Sequence, residues 1–449
     1  MPSPASQNTP PPPSLYQPSD SPKDILIIAI GSYGDVFPLL HLASTLQSTG
    51  HHITFATRPG YKHLANDAGV PFTPLGDDEL FEEMAGDPDL WHPTKGPLLI
   101  IDKAIPNLLQ PVYNLTEKHY KTSGNNLIVL TPALGMGARI ARQKYPFRLV
   151  MTQLQPLLFQ SVHAPYRASH AIPDLTRLPK LIRVPVTHTL YYFLNKYTDR
   201  LMFPVVNPFI SNHGLDTVKR NFFASWIHSP DINLALFPEA FCPAQPDWPP
   251  HTHHIGFPPF ELDLGKPFTA KLQSFLDKHS AADQKPLLFT PGSENRHAQT
   301  FFQSALAATQ NLDRPAIFAT QFTEHLPYPP KQLPEHVLHV PYAPFAKLLP
   351  HCAAIIHHGG IGTTARAITT ATPQLIMPLS HDQPDNASRV RRLDIGDYLP
   401  PKKFTPRRLS QKLDYLLTKP RIAGNCKQIA EIINRQTITP DRLDQLTTQ

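Results

Sequence analysis

Cys352-Ala-Ala-Ile-Ile-His357 runs directly into His358-Gly-Gly-Ile-Gly-Thr-Thr364 and on into Ala-Arg-Ala-Ile368. The first piece is a short apolar run, as in a strand buried on both faces. The second is a glycine-rich turn, and the third has helix-compatible composition. A strand that empties through glycines into a helix N-terminus is a site for a diphosphate. Glycine lets the backbone come close, and the first helical turn leaves N–H groups unpaired at the positive end of the dipole. Further along, Pro373-Gln-Leu-Ile-Met-Pro378 repeats the strand pattern and leads to His381-Asp-Gln-Pro-Asp-Asn386. Polar tips beyond the carboxyl ends of neighbouring parallel strands are where open α/β sheets hold nucleotides. The chain therefore reads as a nucleotide-handling enzyme.

Outward from this stretch the same rhythm continues in both directions. Near the start, Ile25-Leu-Ile-Ile-Ala-Ile30 is a strand-length apolar run, followed by the loop Gly31-Ser-Tyr-Gly-Asp-Val-Phe-Pro38. A helix is expected from Pro38, with Leu39, Leu40, Leu42, Ala43 and Leu46 as its apolar stripe and Gly50 as its C-cap. Strands at 52–57, 70–75, 127–130 and 148–152 then alternate with helices, which makes a doubly wound sheet. A second set restarts at Pro286-Leu-Leu-Phe-Thr290. The expected organisation is a Pro/Ser-rich disordered tail over 1–23, a Rossmann-like domain over 24–242 and a Pro- and His-rich linker over 243–260. A second Rossmann-like domain follows over 261–424, then a C-terminal helix and tail over 425–449.

Composition agrees with a large globular protein. The chain has 449 residues, 41% of them hydrophobic, enough for two or three domains. A net charge of +6, with few basic clusters, does not argue for nucleic acid. No apolar run is long enough to span a bilayer, and the start lacks the pattern of a secretory signal. Three scattered cysteines suit a reduced cytoplasm. The cluster His251, His253 and His254 has spacing that metals use, but in a Pro-rich stretch it reads as surface loop.

Four segments together carry a family likeness. These are His358-Gly-Gly-Ile-Gly-Thr-Thr364, Thr372-Pro-Gln-Leu-Ile-Met-Pro378, Asp382-Gln-Pro-Asp-Asn-Ala387 and Arg389-Val-Arg-Arg-Leu-Asp-Ile-Gly396. They resemble the donor signature of the GT-B nucleotide-sugar glycosyltransferases, in the branch of the UDP-glycosyltransferases and the antibiotic and sterol enzymes. Gly31 to Pro38 is similar to that branch's first loop, and the likeness spans most of residues 24–420. It implies an α/β GT-B fold, two Rossmann-like domains facing a central cleft. It also implies inverting, metal-independent transfer of a hexosyl group from a nucleotide diphosphate sugar, UDP expected ahead of dTDP, to a hydroxyl of a small acceptor.

The resemblance assigns roles residue by residue. His358 contacts the donor phosphate, helped by backbone N–H groups from Gly359, Gly360 and Gly362 to Thr363 and Thr364. Asp382 and Gln383 hold sugar hydroxyls, the carboxylate accepting and the amide both donating and accepting. Ser293 touches phosphate, and Val340 lies where the nucleotide base is held. Asp35 is the general base toward the acceptor, or the cap of the helix that follows it, or both. No metal and no cofactor beyond the nucleotide sugar are implied. His357 reads as structural, and Asp385 and Asn386 as solvated residues at a helix start. Related plant and animal enzymes carry a glutamate where Arg366 stands, which bears on the choice between UDP and dTDP.

The acceptor is a lipid, sterol-like or polyketide alcohol only as an inclination. Thr189-Leu-Tyr-Tyr-Phe-Leu-Asn-Lys-Tyr197, preceded by Arg177, Lys180 and Arg183, reads chiefly as core; the alternatives are a pocket lining or peripheral membrane contact. Two other functions stay open. One is a non-catalytic descendant that binds nucleotide or lipid. The other is an NAD-dependent oxidoreductase, against which Gly31 and Gly34 have the wrong spacing and Thr57-Arg58 stands where an acid belongs.

Overall fold

The computed structural model describes residues 22–169, 172–259, 267–293 and 295–448. Apart from Pro22 and Lys23, the expected N-terminal tail lies outside the described residues. Two parallel sheets face each other across a cleft. The first contains β1 (Asp24–Ile28), β2 (His52–Thr57), β3 (Phe72–Pro74), β4 (Leu127–Pro132), β5 (Arg148–Gln153), β6 (Ile232–Ala235) and β7 (Thr252–His254). Its order is β3-β2-β1-β4-β5-β6-β7. The second contains β8 (Leu287–Thr290), β9 (Ala316–Ala319), β10 (Val337–Val340), β11 (Ala354–His357), β12 (Gln374–Ile376) and β13 (Gly396–Tyr398), in the order β10-β9-β8-β11-β12-β13. Both are doubly wound, as the alternation of strands and helices predicts.

The continuous apolar runs explain why both faces are covered. Along β1, Ile25 and Ile27 enter one core while Leu26 and Ile28 enter the other. Strand order reverses at the β1–β4 and β8–β11 pairs, so the loops after β1, β8 and β11 open into crevices. The register pairs His357 with Thr290, so His358 and Gly292 leave the second sheet side by side.

Several expectations need correction. The first helix begins at Tyr33, not Pro38, because Ser32 and Asp35 organise its first turn; Pro38 lies inside it. The stretch 243–260 is more than a linker, since Thr252–His254 pairs with β6 and completes the first sheet. The segment Thr189–Tyr197 is not core. It belongs to the long helix Lys180–Asn212, where Leu190, Tyr192, Phe193 and Tyr197 are exposed and Tyr191 is buried.

The chain crosses between domains twice. It leaves the first after Ile255 and returns after the helix Pro420–Arg435. The two crossings touch: Ile438 N–H donates to the Ile255 carbonyl at 3.1 Å. Gly256 is required there, with φ +81 and a position whose Cβ would stand 2.7 Å from the Gln436 carbonyl oxygen. The final helix Pro440–Thr448 then docks on the first domain, where buried Asp444 meets buried His51 at 2.7 Å.

Candidate active site

A cavity of about 1400 Å³ lies between the domains. The first domain contributes Gly31, Asp35, Trp91 and Gln155, among others, and the second Gly292, His358, Thr363 and Asp382. Of the residues expected at the site, Asp35, Ser293, His358, Gly360, Gly362, Thr363, Asp382 and Gln383 all line it.

On the first wall, Asp35 sits in the opening turn of the first helix. Its Oδ2 accepts from the Ser32 N–H at 2.9 Å and the Ser32 hydroxyl at 3.1 Å. Gly31, with φ +126, makes room, since a Cβ there would stand 2.4 Å from that oxygen. Burial raises the Asp35 pKa, and hydrogen bonds from Ser32 and the Gln155 side chain oppose the rise without cancelling it. A carboxylate with a raised pKa is a better proton acceptor than one in water. The cap and a base role use the same group without conflict.

On the second wall, His358 follows the last residue of β11. Its ring lies against Gly292, whose φ is +100 and whose Cβ would fall 2.8 Å from the ring. Burial lowers the His358 pKa to about 4, so the ring is neutral near pH 7. Its Nδ1 has no hydrogen-bond partner among the described residues. Gly360 caps the helix Ile361–Thr369. The N–H groups of Ile361, Gly362 and Thr363 belong to a first turn that has no intrahelical acceptors for them. His357 is fully buried: Gly359 N–H donates to its Nδ1 at 3.1 Å, which makes Nε2 the donor to Gln374 Oε1 at 3.0 Å.

Three expected donor residues do not reach the cavity. The Thr364 side chain is buried beneath the helix and its N–H is spent on the Gly360 carbonyl. The Gly359 N–H is held by His357 and its carbonyl by Asn386 Nδ2. Val340 points into the core, as strand alternation requires, and its carbonyl accepts from Thr320 N–H. Pro341, Tyr342 and Phe345 line the cleft in its place.

Asp382 Oδ2 accepts from Asn386 Nδ2 at 2.7 Å. Burial pushes its pKa up to about 7; the Asn386 bond opposes this, and the charges of Asp35 and Asp385 add to the rise. The carboxyl groups of the two walls therefore feel each other. Gln383 Oε1 is committed to the backbone N–H groups of Leu379 and Ser380, at 2.8 and 3.3 Å. Only its amide N–H groups remain to offer a ligand, a correction to its expected double role. Asp385 and Asn386 are not solvated: both are fully buried, and Asp385 pairs with Arg389 at 2.7 Å.

Trp91 was not legible as a site residue. Its indole stands edge to face with both His358 and His381. It is carried by a segment of the first domain that clasps the second, with Leu90 carbonyl bound to His381 Nε2 at 2.9 Å and His92 carbonyl accepting from Ser380 Oγ at 3.2 Å. Arg296 and Glu82 add an ion pair across the cleft. Only an aromatic residue in a Pro- and Asp-rich loop hinted at this. Much of the first domain's lining is apolar, Ile101, Leu134, Leu154 and Leu201 included. Gln153 lies there with neither amide atom bonded among the described residues. His253 and His254 lie in β7 and not in a surface loop, and among the described residues no group of three or more His, Cys, Asp or Glu is placed to hold an ion.

Two family profiles match the chain. The Glycosyltransferase family 28 N-terminal domain covers residues 25–112, and the Erythromycin biosynthesis protein CIII-like, C-terminal domain covers 304–441. O-mycaminosyltylonolide 6-deoxyallosyltransferase of Streptomyces fradiae is 25% identical, over 91% of this chain and 93% of that protein. A sterol 3-beta-glucosyltransferase of Arabidopsis thaliana is 23% identical, over 92% of this chain and 66% of that one. Among solved structures, the spinosyn rhamnosyltransferase complexed with thymidine diphosphate superposes with a TM-score of 0.63. It shares 16% identity and covers 94% of this chain and 99% of its own.

Proposed function

We propose that this chain, a GT-B glycosyltransferase of the antibiotic and sterol branch, moves a hexose from a nucleoside diphosphate to the hydroxyl of a small lipophilic acceptor, with inversion and without a metal. The observation that carries this reading is that Asp35 of one domain and His358 of the other, with its open helix turn, line the same cavity. In the reaction the acceptor oxygen attacks the anomeric carbon while its proton passes to the Asp35 carboxylate. The bond from that carbon to the phosphate oxygen breaks, and the electron pair leaves with the diphosphate. Charge grows where the first-turn N–H groups and the neutral His358 ring can meet it, which is the largest kind of catalytic term such a site offers. Attack on the face opposite the leaving group converts an α-linked donor into a β-linked product.

Asp382 and the Gln383 amide are the proposed sugar contacts, and Ser293 and Thr363 the proposed phosphate contacts. The nucleotide is read as UDP ahead of dTDP; the neighbour complexed with thymidine diphosphate is what favours the second. The apolar part of the first domain's lining supports a lipophilic acceptor. Three buried, unpaired cysteines fit action in the cytoplasm. Among the described residues no helix is long and apolar enough to cross a membrane.

Calorimetric titration with UDP and dTDP, followed by turnover with the matching sugar donor and a panel of alcohols, tests the reading. The anomeric proton coupling of the product reports inversion. Nucleotide binding without transfer to any alcohol would favour the non-catalytic alternative.

A further inference from the structure

The helix Lys180–Asn212 turns to solvent a face that proteins in water usually cover. Ile182, Val186, Leu190, Phe193 and Tyr197 follow one another at steps of four, four, three and four, so they form one stripe. All five are exposed, Phe193 to 63%, and Leu181, at 91%, extends the row. From 181 to 197 the stripe is about 24 Å long at the helical rise. Single exposed apolar side chains are ordinary, whereas a contiguous row marks a docking surface.

The charges select the partner. The helix carries Lys180, Arg183, Lys196 and Arg200 against one acid, Asp199. Asp199 is buried and accepts from the N–H groups of Asn221 and Phe222 at 2.8 Å each. Lys180, Lys196 and Arg200 are exposed, as is Arg177 just before the helix. Apolar stripe, aromatic tips and basic flanks are the composition of a helix that lies in the headgroup region of a negatively charged membrane. The same helix supplies Leu194, Thr198 and Leu201 to the cavity, and Tyr197, the last residue of the stripe, lines it as well.

We propose that the outer face of this helix docks on an anionic lipid bilayer and sets the acceptor end of the cavity beside it. Docking stands on the helix alone; delivery of acceptor from the bilayer rests on the acceptor site proposed above.

Flotation of the full chain with vesicles tests docking without any enzyme assay. One set is phosphatidylcholine, the other equal parts phosphatidylcholine and phosphatidylglycerol. The chain is expected to float with the second set, and less as salt is added. The Ile182→Asp, Phe193→Asp double variant should float at least about tenfold less. Neither residue lines the cavity, so melting temperature and transfer to a water-soluble acceptor should be unchanged. Lys196→Glu with Arg200→Glu should lose the preference for phosphatidylglycerol, and serves if the first variant folds poorly. Equal flotation of wild type and both variants overturns the proposal, as does failure of the wild type to float. A dimer seen by light scattering that the double variant abolishes, with no flotation, assigns the face to a second copy instead.

Discussion

The indole of Trp91 meets the imidazole of His358 edge to face across the domain boundary, with ring centroids 6.2 Å apart. The same indole stands 5.8 Å from His381, and its Nε1 has no hydrogen-bond partner among the described residues. His381 holds a positive φ of +57 while its ring binds the Leu90 carbonyl. Strain of this kind persists where surrounding contacts impose it, here between domains.

A nucleotide beside His358 therefore changes the surroundings of Trp91. Intrinsic fluorescence should shift on titration with UDP or dTDP. In Trp91→Phe the shift should vanish although Trp226 and Trp248 remain, and KM for the donor should rise by about two- to tenfold, the worth of an edge-to-face contact that helps place the His358 ring. An unchanged KM and an unchanged fluorescence response would remove Trp91 from the donor site.

Asp35→Asn separates base from cap. Asparagine keeps an oxygen for the Ser32 N–H and hydroxyl, so melting temperature should hold within the effect of about 0.5 kcal/mol. The proton acceptor is gone, and kcat should fall by about 10²–10⁴. Retained turnover would leave Asp35 as a helix cap alone.

The contact between Gly292 and His358 predicts a specific cost. Gly50 and Gly292 both hold φ near +100, but a Cβ at Gly50 meets nothing within 4 Å, whereas at Gly292 it would strike the imidazole. Gly50→Ala should cost about 1 kcal/mol of backbone strain. Gly292→Ala should cost about 1–3 kcal/mol more by denaturant unfolding and weaken nucleotide binding. Equal costs in the two variants would mean that the ring simply moves aside.

Asp382 sets a pH dependence. A carboxyl whose pKa is higher folded than unfolded stabilises the fold at low pH and loses that contribution as pH rises through the folded value. For Asp382 the window runs from 3.8 to about 7. His357 and His358, lowered by burial from 6.5 to about 3 and about 4, run the other way, and the fold gains as pH rises through their window. Comparing Asp382→Asn with wild type cancels the histidines. The variant should gain in stability on the wild type as pH rises from 5 to 8, by on the order of 2 kcal/mol. Its sugar transfer should fall at both. A gap that does not widen with pH would place the Asp382 pKa near its usual value.

The parallel strands and the main donor loop were legible because they are local. Apolar runs of strand length name β1, β4, β8 and β11 to within two residues at each end. Burial that depends on distant partners was not legible. Asp385 reads as solvated at a helix start, yet Arg389 and the backbone of Arg167 enclose it. Thr189–Tyr197 reads as core on hydrophobicity, but a helical stripe does not say which side the protein covers. Trp91 gave no more than the hint of an aromatic residue in a loop, because its partners come from the other domain. Gln383 had the right position, and only the fold shows that its carbonyl is already in use.

The paired crossings near Ile255 and Ile438 have a mechanical consequence. A single strand between domains acts as a swivel and permits twist in any sense. Two strands lying together and bonded to each other define an axis, like a door hung on two pins. Opening by rotation about that line must release the clasp at Leu90 and His92 but leaves the bond between the strands in place, while sliding or twisting one domain over the other must break that bond too and unseat the final helix. The two walls can part to exchange ligands and still return to the same alignment of Asp35 with His358.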